Sequence, residues 1–279
     1  MLSKKMLLFT VLALLSIPTM GIAGAADSFI IVSDVDDTVK LTNVLDHKAA
    51  VWYATASKLV FAGMPELYQN LLGKNSGPER LEFVSGSPRV VLTHKVRECL
   101  NDAHFPAYKL TLRDKVASAY DYKKHVLQKM YGASGSKFLL VGDDTESDPK
   151  VYAEFSSEKP NKVLAIYVHQ ITGRPLPPAK PTIVAFVTAY DIAMYEYKAG
   201  RLSEEQAAVV GEAVLTSRDP AFLPSFQKCP KEYIHPDLPK SLEELRRKIE
   251  DRMVEFCSHR RPTPSAAPDA NRASRGHRR

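Results

Sequence analysis

The chain is poor in cysteine and tryptophan, and it lacks several widely used catalytic motifs. Its 279 residues include only 3 Cys and 1 Trp. The three cysteines, Cys99, Cys229 and Cys257, do not have the spacing of a metal site. A P-loop, a dinucleotide-binding fingerprint, a His-Glu-x-x-His motif and a nucleophile elbow are also absent from the sequence. These absences argue against the nucleotide-binding, zinc-protease and serine-hydrolase classes that such motifs define.

A second long apolar segment is absent as well. Residues 6–20 are largely apolar, follow Lys4 and Lys5, and precede the small residues Ala23–Ala25. This arrangement predicts a signal peptide over residues 1–25 and export of the protein to the periplasm or out of the cell. A permanent membrane anchor is the alternative, for which the apolar run is short.

The formal net charge of +6 is concentrated at the two ends of the chain. Lys4 and Lys5 carry two of the positive charges and residues 258–279 a further five net, which leaves −1 for the body of the protein. A broad basic face for nucleic acid is therefore not expected. Residues 259–279 are rich in Arg, Pro, Ala and Ser, and we expect a disordered basic tail that contacts anionic membrane surfaces.

Apolar runs of strand length alternate with helical patterns between residues 29 and 187. This alternation predicts a parallel sheet with helices on both faces, a doubly wound α/β fold. We assign residues 26–200 to the α/β domain and residues 201–258 to a helical C-terminal extension. The predicted strands are 29–32, 80–85, 108–112, 137–141, 163–168 and 182–187, and the predicted helices of the domain include 47–61, 65–72, 88–103 and 122–131.

Several helix starts carry capping signals. Asp121 is predicted to cap the helix that follows it, and Asp148, with Pro149 behind it, the helix after the fourth strand. The segments Ser203–Gln206 and Ser241–Glu244 have the pattern of capping boxes and predict two C-terminal helices.

The region between these last two helices, residues 220–239, is rich in proline and is expected to be irregular. In an exported protein Cys229 and Cys257 are either joined in a disulfide that ties down the C-terminal segment or both reduced. Cys99 lies in a predicted helix and is expected to be a buried free thiol.

The first strand ends in a cluster of acidic residues. Phe29–Val32 is followed by Asp34, Asp36, Asp37 and Thr38. Open α/β sheets bind ligands at the carboxyl ends of their strands, and carboxylates this close repel one another unless a cation offsets the charge. The pattern predicts a divalent metal, Mg²⁺ first, because Mg²⁺ prefers oxygen ligands. An acidic turn with local capping is the alternative.

Three further polar clusters fall at strand ends or at the start of a helix. Ser85–Pro88 ends the second strand and offers hydroxyl and N–H groups either to a phosphoryl oxygen or to the next helix as a cap. Lys123 and Lys124 either neutralise charge that develops in a reaction or are solvated surface lysines. Gly142–Pro149 follows the fourth strand with four acids in six residues, as a metal site or an acidic loop. Of these acids, Asp143 has no evident structural role and is favoured as a ligand.

In order and position these motifs resemble those of the haloacid dehalogenase-like hydrolases. Over about residues 29–170 the chain is similar to the catalytic domain of the actin-patch-associated phosphatidate phosphatase family and its bacterial relatives. The resemblance implies a Rossmannoid core of strand order 5-4-1-2-3 without a large cap domain. It also implies a Mg²⁺-dependent phosphohydrolase, with phosphatidate or a related lipid phosphate as substrate. The segments that carry it are Asp34–Lys40, Gly63–Tyr68, Phe83–Pro88, Thr111–Asp114 and Lys137–Pro149.

By this resemblance Asp34 is the nucleophile that forms an aspartyl-phosphate, and Asp36 is the general acid and then the general base. Ser85 holds the phosphoryl group. Lys123 stabilises Asp34 and the transferring phosphoryl group, with Lys124 as the other choice for this lysine. The roles agree with physical chemistry, because a carboxylate attacks an anionic phosphate slowly unless Mg²⁺ and Lys screen the charge.

The resemblance also implies the ligands and contacts of the site. Asp144 and Thr145 stand where the family usually has Ser and Gly, which puts the metal geometry in question. The implied Mg²⁺ ligands are Asp34, Asp36 through its backbone carbonyl, Asp143 and Asp148. The residues expected to contact the phosphorylated substrate are Thr38, Gly86 and Lys124.

Residues 39–80 contain only two short predicted helices, so we expect an open site that accepts a bulky or membrane-embedded phosphoester. The apolar pieces Val51–Tyr53 and Val60–Phe61 are expected to pack in the core rather than to contact lipid. The alternatives to a lipid phosphatase are a phosphatase of soluble phosphomonoesters and a non-catalytic exported protein that holds a metal or a phosphorylated ligand. A pure binding protein would have no need of Asp36.

Overall fold

The computed structural model describes residues 29–73, 77–113, 118–231, 233 and 235–260, except for the side chains of residues 88–91. The predicted signal peptide, residues 1–25, and residues 261–279 of the predicted tail lie outside the described residues. None of the described helices combines the length and the apolar composition that a membrane span requires.

Six strands form one sheet in which every neighbouring pair is parallel. The strand order is 3-2-1-4-5-6 in chain numbering. This confirms the predicted doubly wound α/β fold, and the implied order 5-4-1-2-3 is extended by a sixth strand at the edge. The strands are β1 (Phe29–Ser33), β2 (Leu81–Pro88), β3 (Lys109–Arg113), β4 (Lys137–Asp143), β5 (Val163–His169) and β6 (Ile183–Phe186).

The register of the central strands brings their polar ends together. Ser33 of β1 pairs with Val141 of β4, and Asp143 of β4 pairs with His169 of β5. Asp34, which follows Ser33, therefore leaves the sheet at the same carboxyl edge as Asp143 and His169. This is the edge where open α/β sheets bind ligands.

The described residues contain eight helices, most of them close to predicted segments. The first helix was predicted to reach Phe61 and ends at Ala56 instead. Ser57 is extended, and the chain beyond it pairs with the loop after β1 through a bridge between Lys40 and Val60. The helices are α1 (His47–Ala56), α2 (Met64–Leu72), α3 (Arg89–Asp102), α4 (Ala119–Ala133), α5 (Asp148–Glu158), α6 (Ala189–Lys198), α7 (Glu204–Thr216) and α8 (Lys240–Ser258).

Two predicted caps in the α/β domain are wrong. The N-cap of α4 is Ser118, whose hydroxyl accepts from the Asp121 N–H, so Asp121 lies inside the first turn. The N-cap of α5 is Ser147, and Asp148 is already helical. The Asp148 carboxylate is therefore available for another contact.

The C-terminal helices confirm one capping box and contradict the other. Ser203 and Gln206 form both reciprocal hydrogen bonds of the box at α7. At α8 the N-cap is Pro239 without a side-chain cap, and the Ser241 hydroxyl contacts Glu204 of α7 instead. The region between α7 and α8 contains no helix or strand in its described residues, as predicted.

Apolar residues of the central strands alternate between two cores. Ile31 and Leu139 face a core shared with α2, α6, α7 and α8, whereas Val32 and Leu140 face a core shared with α4 and α5. Each fully buried aliphatic side chain stabilises the fold by about 1.5–3 kcal/mol. Burial on both faces explains why these strands are continuous apolar runs rather than alternating ones.

The structure decides the cysteine pairing that the sequence left open and confirms the expected buried thiol. Cys229 and Cys257 are bonded, with their Cα atoms 6.0 Å apart, which ties the irregular segment to α8. Cys99 is free and buried.

Gly63 is the N-cap of α2 and has φ +79°. A Cβ there would lie 2.7 Å from Val214 Cγ2 of α7. The close approach of α2 and α7 therefore requires glycine at this position.

Candidate active site

The loop after β1 is bent back on itself by Asp37. This residue has φ +58°, and its carboxylate accepts hydrogen bonds from the N–H groups of Thr42, Asn43 and Val44 at 2.8, 2.6 and 2.8 Å. Burial raises the pKa of Asp37 to about 6, against the lowering effect of these three hydrogen bonds. Asp37 therefore holds the loop that presents its neighbours to the crevice.

Three buried carboxylates from three elements converge at the edge of the sheet. Asp34 follows β1, Asp143 ends β4 and Asp148 begins α5, and each offers an oxygen within 4.8 Å of the others. We call these three residues the carboxylate cluster. Burial and the negative charge of the neighbouring carboxylates raise the pKa values of Asp34 and Asp143 well above the ordinary range.

Lys123 is the counter-charge of the carboxylate cluster. Its Nζ lies 2.7 Å from Asp34 Oδ1, 2.6 Å from Asp148 Oδ1 and 3.6 Å from Glu146 Oε2. Burial alone would lower the pKa of Lys123, but the Asp148 and Asp34 carboxylates outweigh it and raise this pKa well above its usual value. The lysine therefore stays charged inside the protein.

Lys124, unlike Lys123, does not contact the carboxylate cluster. Its Nζ lies 3.0 Å from Glu154 and 2.9 Å from Glu158 on α5, outside the carboxylate cluster. Successive helical residues point about 100° apart, so only one of the two lysines can face the sheet edge. The expected substrate contact of Lys124 is not supported, and Lys123 is the lysine of the site.

Asp36 lies beside the carboxylate cluster but its side chain is not part of it. Its carboxylate accepts hydrogen bonds from the hydroxyls of Ser85, Ser87 and Thr42 at 2.9, 2.8 and 2.9 Å. Ser85 Oγ also accepts from the Ser87 N–H at 3.0 Å. Three hydroxyls therefore orient the second aspartate, and Ser87 and Thr42 are site residues that the sequence did not single out for this contact.

The predicted binding residues Thr38 and Gly86 both line the site. Thr38 Oγ1 lies 3.2 Å from Asp34 Oδ2 and 3.2 Å from Asp143 Oδ2, so its hydroxyl links two members of the carboxylate cluster. A Cβ added to Gly86 would lie 3.3 Å from Glu146 Oε2. The end of β2 and the Glu146 carboxylate are therefore close neighbours at the site.

Asp144, which departs from the family pattern, has a structural task. Its carboxylate accepts from the N–H groups of Ile171 and Thr172 at 2.9 and 2.8 Å, from the Thr172 hydroxyl at 2.9 Å and from the Arg174 N–H at 3.1 Å. These bonds fasten the loop after β5 to the loop after β4. Asp144 is thus directed away from the carboxylate cluster.

His169 is a buried polar residue near the site that the sequence analysis missed. Its Nδ1 lies 2.9 Å from the Asp37 carbonyl, and its Nε2 lies 2.9 Å from Gln227 Nε2 and 3.0 Å from the Val187 carbonyl. A neutral ring with its proton on Nδ1 donates to the Asp37 carbonyl and accepts from Gln227 Nε2, which also donates to the Val187 carbonyl at 3.2 Å. Burial lowers the pKa of His169 to about 4, against the raising effect of the two carbonyls. The position of His169 at the carboxyl end of a predicted strand was the signal that could have identified it.

The carboxylate cluster fits a divalent cation. With all three carboxylates ionised, as cation binding requires, the cluster and Lys123 would carry a net charge of −2, which one Mg²⁺ would balance, and all the donors are oxygens. Asp34, Asp143 and Asp148 are the side chains that would hold it. The side chain of Asp36 lies outside this group, so any contribution from that residue would come from its backbone, as the resemblance implies.

Comparison with known proteins agrees with the region that contains the site. Residues 29–170, about half of the chain, match the family model described as phosphatidate phosphatase APP1, catalytic domain. An uncharacterised protein of Schizosaccharomyces pombe is 24% identical over 153 residues, which cover 50% of this chain and 25% of that protein. The phosphatidate phosphatase APP1 of Saccharomyces cerevisiae is 26% identical over 151 residues, with the same two shares. The chain thus spans about a quarter of the length of these curated relatives. No solved structure matches it significantly.

Proposed function

Because this chain belongs to the family defined by the catalytic domain of phosphatidate phosphatase APP1, we propose that it is a Mg²⁺-dependent phosphohydrolase. The proposed substrate is phosphatidate or a related lipid phosphate, as the name of the Saccharomyces cerevisiae relative suggests. The observation that carries the proposal is the position of Lys123 between Asp34 and Asp148, at the edge of the sheet where Asp36 also lies.

In the proposed first step an Asp34 oxygen attacks the phosphorus and the bond from phosphorus to the lipid alcohol breaks. Lys123, 2.7 Å from Asp34 Oδ1, reduces the repulsion between the carboxylate and the anionic phosphate. Asp36 donates a proton to the departing oxygen, which leaves as a neutral alcohol. Asp34 is then an aspartyl-phosphate.

In the second step Asp36 accepts a proton from a water molecule while the water oxygen attacks the phosphorus. The bond from phosphorus to Asp34 breaks, inorganic phosphate leaves and both aspartates return to their first state. The hydroxyls of Ser85, Ser87 and Thr42 hold Asp36 in one orientation through both proton transfers. A divalent cation on the carboxylate cluster would supply charge neutralisation for the phosphate oxygens.

Export is part of the proposal and follows from the predicted signal peptide over residues 1–25. We propose that the protein acts in the periplasm or outside the cell and that its basic tail assists contact with anionic membranes. The Cys229–Cys257 disulfide supports an oxidising compartment, because such bonds persist mainly in exported proteins. Fractionation of cells that produce the full chain tests this point.

The decisive experiment measures phosphate release by residues 26–279. The substrates are phosphatidate in mixed micelles and a soluble aryl phosphate, each with Mg²⁺ or EDTA. Asp34→Asn is the test variant, and Asp251→Asn, an exposed change on α8, is the control.

Release that needs Mg²⁺ and is lost only in Asp34→Asn is the expected result. Faster turnover of the aryl phosphate than of phosphatidate would favour a soluble phosphomonoester as the substrate. Absence of release from both substrates, with Mg²⁺ still bound, would overturn the proposal in favour of a binding protein.

A further inference from the structure

We propose that Leu45, Lys48, Val51 and Trp52, here called the α1 surface, form a membrane-docking surface next to the active site. The inference rests on the proposed function, because it presumes a phosphorylated substrate that resides in a lipid surface. The partner it names is a bilayer that contains anionic lipid.

The first observation is the exposure of three large apolar side chains in or next to α1. Leu45 is 54% exposed, Val51 66% and Trp52 57%. Among the described residues the other large apolar side chains with comparable exposure are single residues on α7 and α8, Val209 and Val254. The expected packing of Val51 and Trp52 in the core is therefore wrong.

The second observation is the orientation of α1. None of its residues is buried, and residues 48, 51, 52 and 55 are all exposed. This is the i, i+3, i+4, i+7 spacing of one helical face. Lys48 therefore lies one turn from both Val51 and Trp52, and the face combines large apolar side chains with a positive charge.

The third observation is the charge around this face. Residues 45–61 contain two lysines, one histidine and one acidic residue, Asp46, whose carboxylate caps the N-terminus of α1 by accepting from the N–H groups of residues 48 and 49. Lys58 is paired with Glu98 and Asp102 at 2.6 and 2.7 Å, so Lys48 and His47 are the groups that would meet lipid phosphates. Helices that lie in a membrane interface combine apolar and aromatic side chains with basic ones in this way, and tryptophan favours the headgroup level.

The fourth observation is the connection between the α1 surface and the catalytic loop. Buried Lys40 donates a hydrogen bond from Nζ to the Tyr53 carbonyl in the last turn of α1. Leu45 is three residues after Thr42, whose hydroxyl contacts Asp36, so its Cα lies at most about 11 Å from that of Thr42. A helix that enters the interface by about 5–10 Å would therefore hold the open crevice at the level of the lipid phosphates.

Trp52 is the only tryptophan of the chain, so its fluorescence reports on the α1 surface directly. The experiment uses residues 26–279 carrying Asp34→Asn, in EDTA, with vesicles of phosphatidylcholine alone or mixed with phosphatidate or phosphatidylglycerol. We expect a blue shift of Trp52 emission with both anionic mixtures and quenching by brominated acyl chains. Because the protein is catalytically disabled, this signal does not depend on turnover.

The matched variants separate docking from catalysis. Leu45→Asp with Val51→Asp should weaken binding to anionic vesicles at least tenfold and slow turnover of phosphatidate in vesicles, while turnover of a soluble aryl phosphate stays within about twofold. Val209→Asp and Val254→Asp, equally exposed changes elsewhere, should bind like the parent protein.

An unchanged Trp52 spectrum with every vesicle, or equal loss of binding in all four substitutions, would overturn the inference. A dimer that Val51→Asp dissociates, seen by light scattering without vesicles, would assign the α1 surface to a second copy instead. Vesicle binding without hydrolysis of any substrate would leave docking standing and overturn the proposed function.

Discussion

Lys123 Nζ lies 2.7 Å from Asp34 Oδ1, and both side chains are almost fully buried. The two residues are 89 positions apart in the chain and meet because the N-terminal half of α4 packs next to the end of β1. A buried charge pair of this kind leaves a strongly unfavourable charge behind when one partner is removed. The same contact therefore matters for stability and for the proposed chemistry.

Lys123→Met should lower the kcat of the proposed phosphatase reaction by about 10²–10³-fold or more. The reason is that the transferring phosphoryl group loses one hydrogen-bond donor to its developing negative charge. The substitution should also destabilise the fold by about 3–5 kcal/mol, since the carboxylate cluster is left without its cation. Steady-state kinetics and urea denaturation measure the two effects. Lys124→Met is the matched control and should change neither strongly, because its contacts with Glu154 and Glu158 lie away from the site. Equal effects of the two variants would contradict the assignment.

Asp36→Asn should slow the hydrolysis of a substrate most when its leaving oxygen must be protonated to depart. An alkyl phosphate such as phosphatidate should lose about 10²–10⁴-fold, and a nitrophenyl phosphate much less, because its leaving group departs as a stable anion. Single-turnover assays that separate release of the alcohol from release of phosphate measure this. A uniform loss for both substrates would mean that Asp36 has a structural task only.

Asp144→Ala should destabilise the protein without impairing its metal site. Four hydrogen bonds from residues 171–174 end on this carboxylate. Of the three donor residues only Ile171 is buried, and an unsatisfied buried donor costs about 1–3 kcal/mol, so a loss of about 1–3 kcal/mol is expected. Chemical denaturation measures the loss, and calorimetric titration with Mg²⁺ should give an affinity close to that of the parent protein. Weak Mg²⁺ binding in a folded Asp144→Ala variant would show that this residue is a ligand after all.

His169 should make the protein less stable as the pH falls from about 6.5 to about 4. Its pKa is lowered from 6.5 to about 4 in the folded protein by burial, so the unfolded chain binds a proton in this window and the folded one does not. The contribution amounts to about 3 kcal/mol at the acid end of the window. In His169→Gln the loss of stability between pH 7.5 and pH 4.5 should be smaller than in the parent protein.

Urea denaturation of both proteins at the two pH values measures this difference. His47→Gln, a change at an exposed histidine of α1, is the control and should follow the parent protein. Parallel pH profiles for the parent protein and His169→Gln would show that His169 is protonated in the folded state.

Much of the fold could be predicted from local patterns. β1 and β4 were predicted as apolar runs, and their successive residues are buried in alternation against the two cores. The acidic motif that begins at Asp34 and the one that begins at Asp143 were also visible, because both follow apolar strands directly. These features depend on residues close together in the chain.

Other assignments needed the packed structure. Asp148 has the sequence context of a helix cap, yet its carboxylate contacts Lys123, because a cap one residue earlier leaves it facing the site. Asp144 looks like another metal ligand in sequence, but the loop after β5 supplies four donors to it. Val51 and Trp52 look like core residues in sequence, but the described part of the chain leaves their face of α1 uncovered.

The sequence by itself determined the α/β class, the order of strands and helices, the polar ends of the strands and the pair of cysteines available for a disulfide. Those properties follow from periodicity and from turn and capping preferences, which act over a few residues. Only the tertiary structure decided which lysine meets Asp34, which acids form the carboxylate cluster and which apolar face stays exposed. Each of these is a choice of partner across distant segments, and packing and burial make that choice because an unpaired buried charge is costly whereas an uncovered apolar face is tolerated.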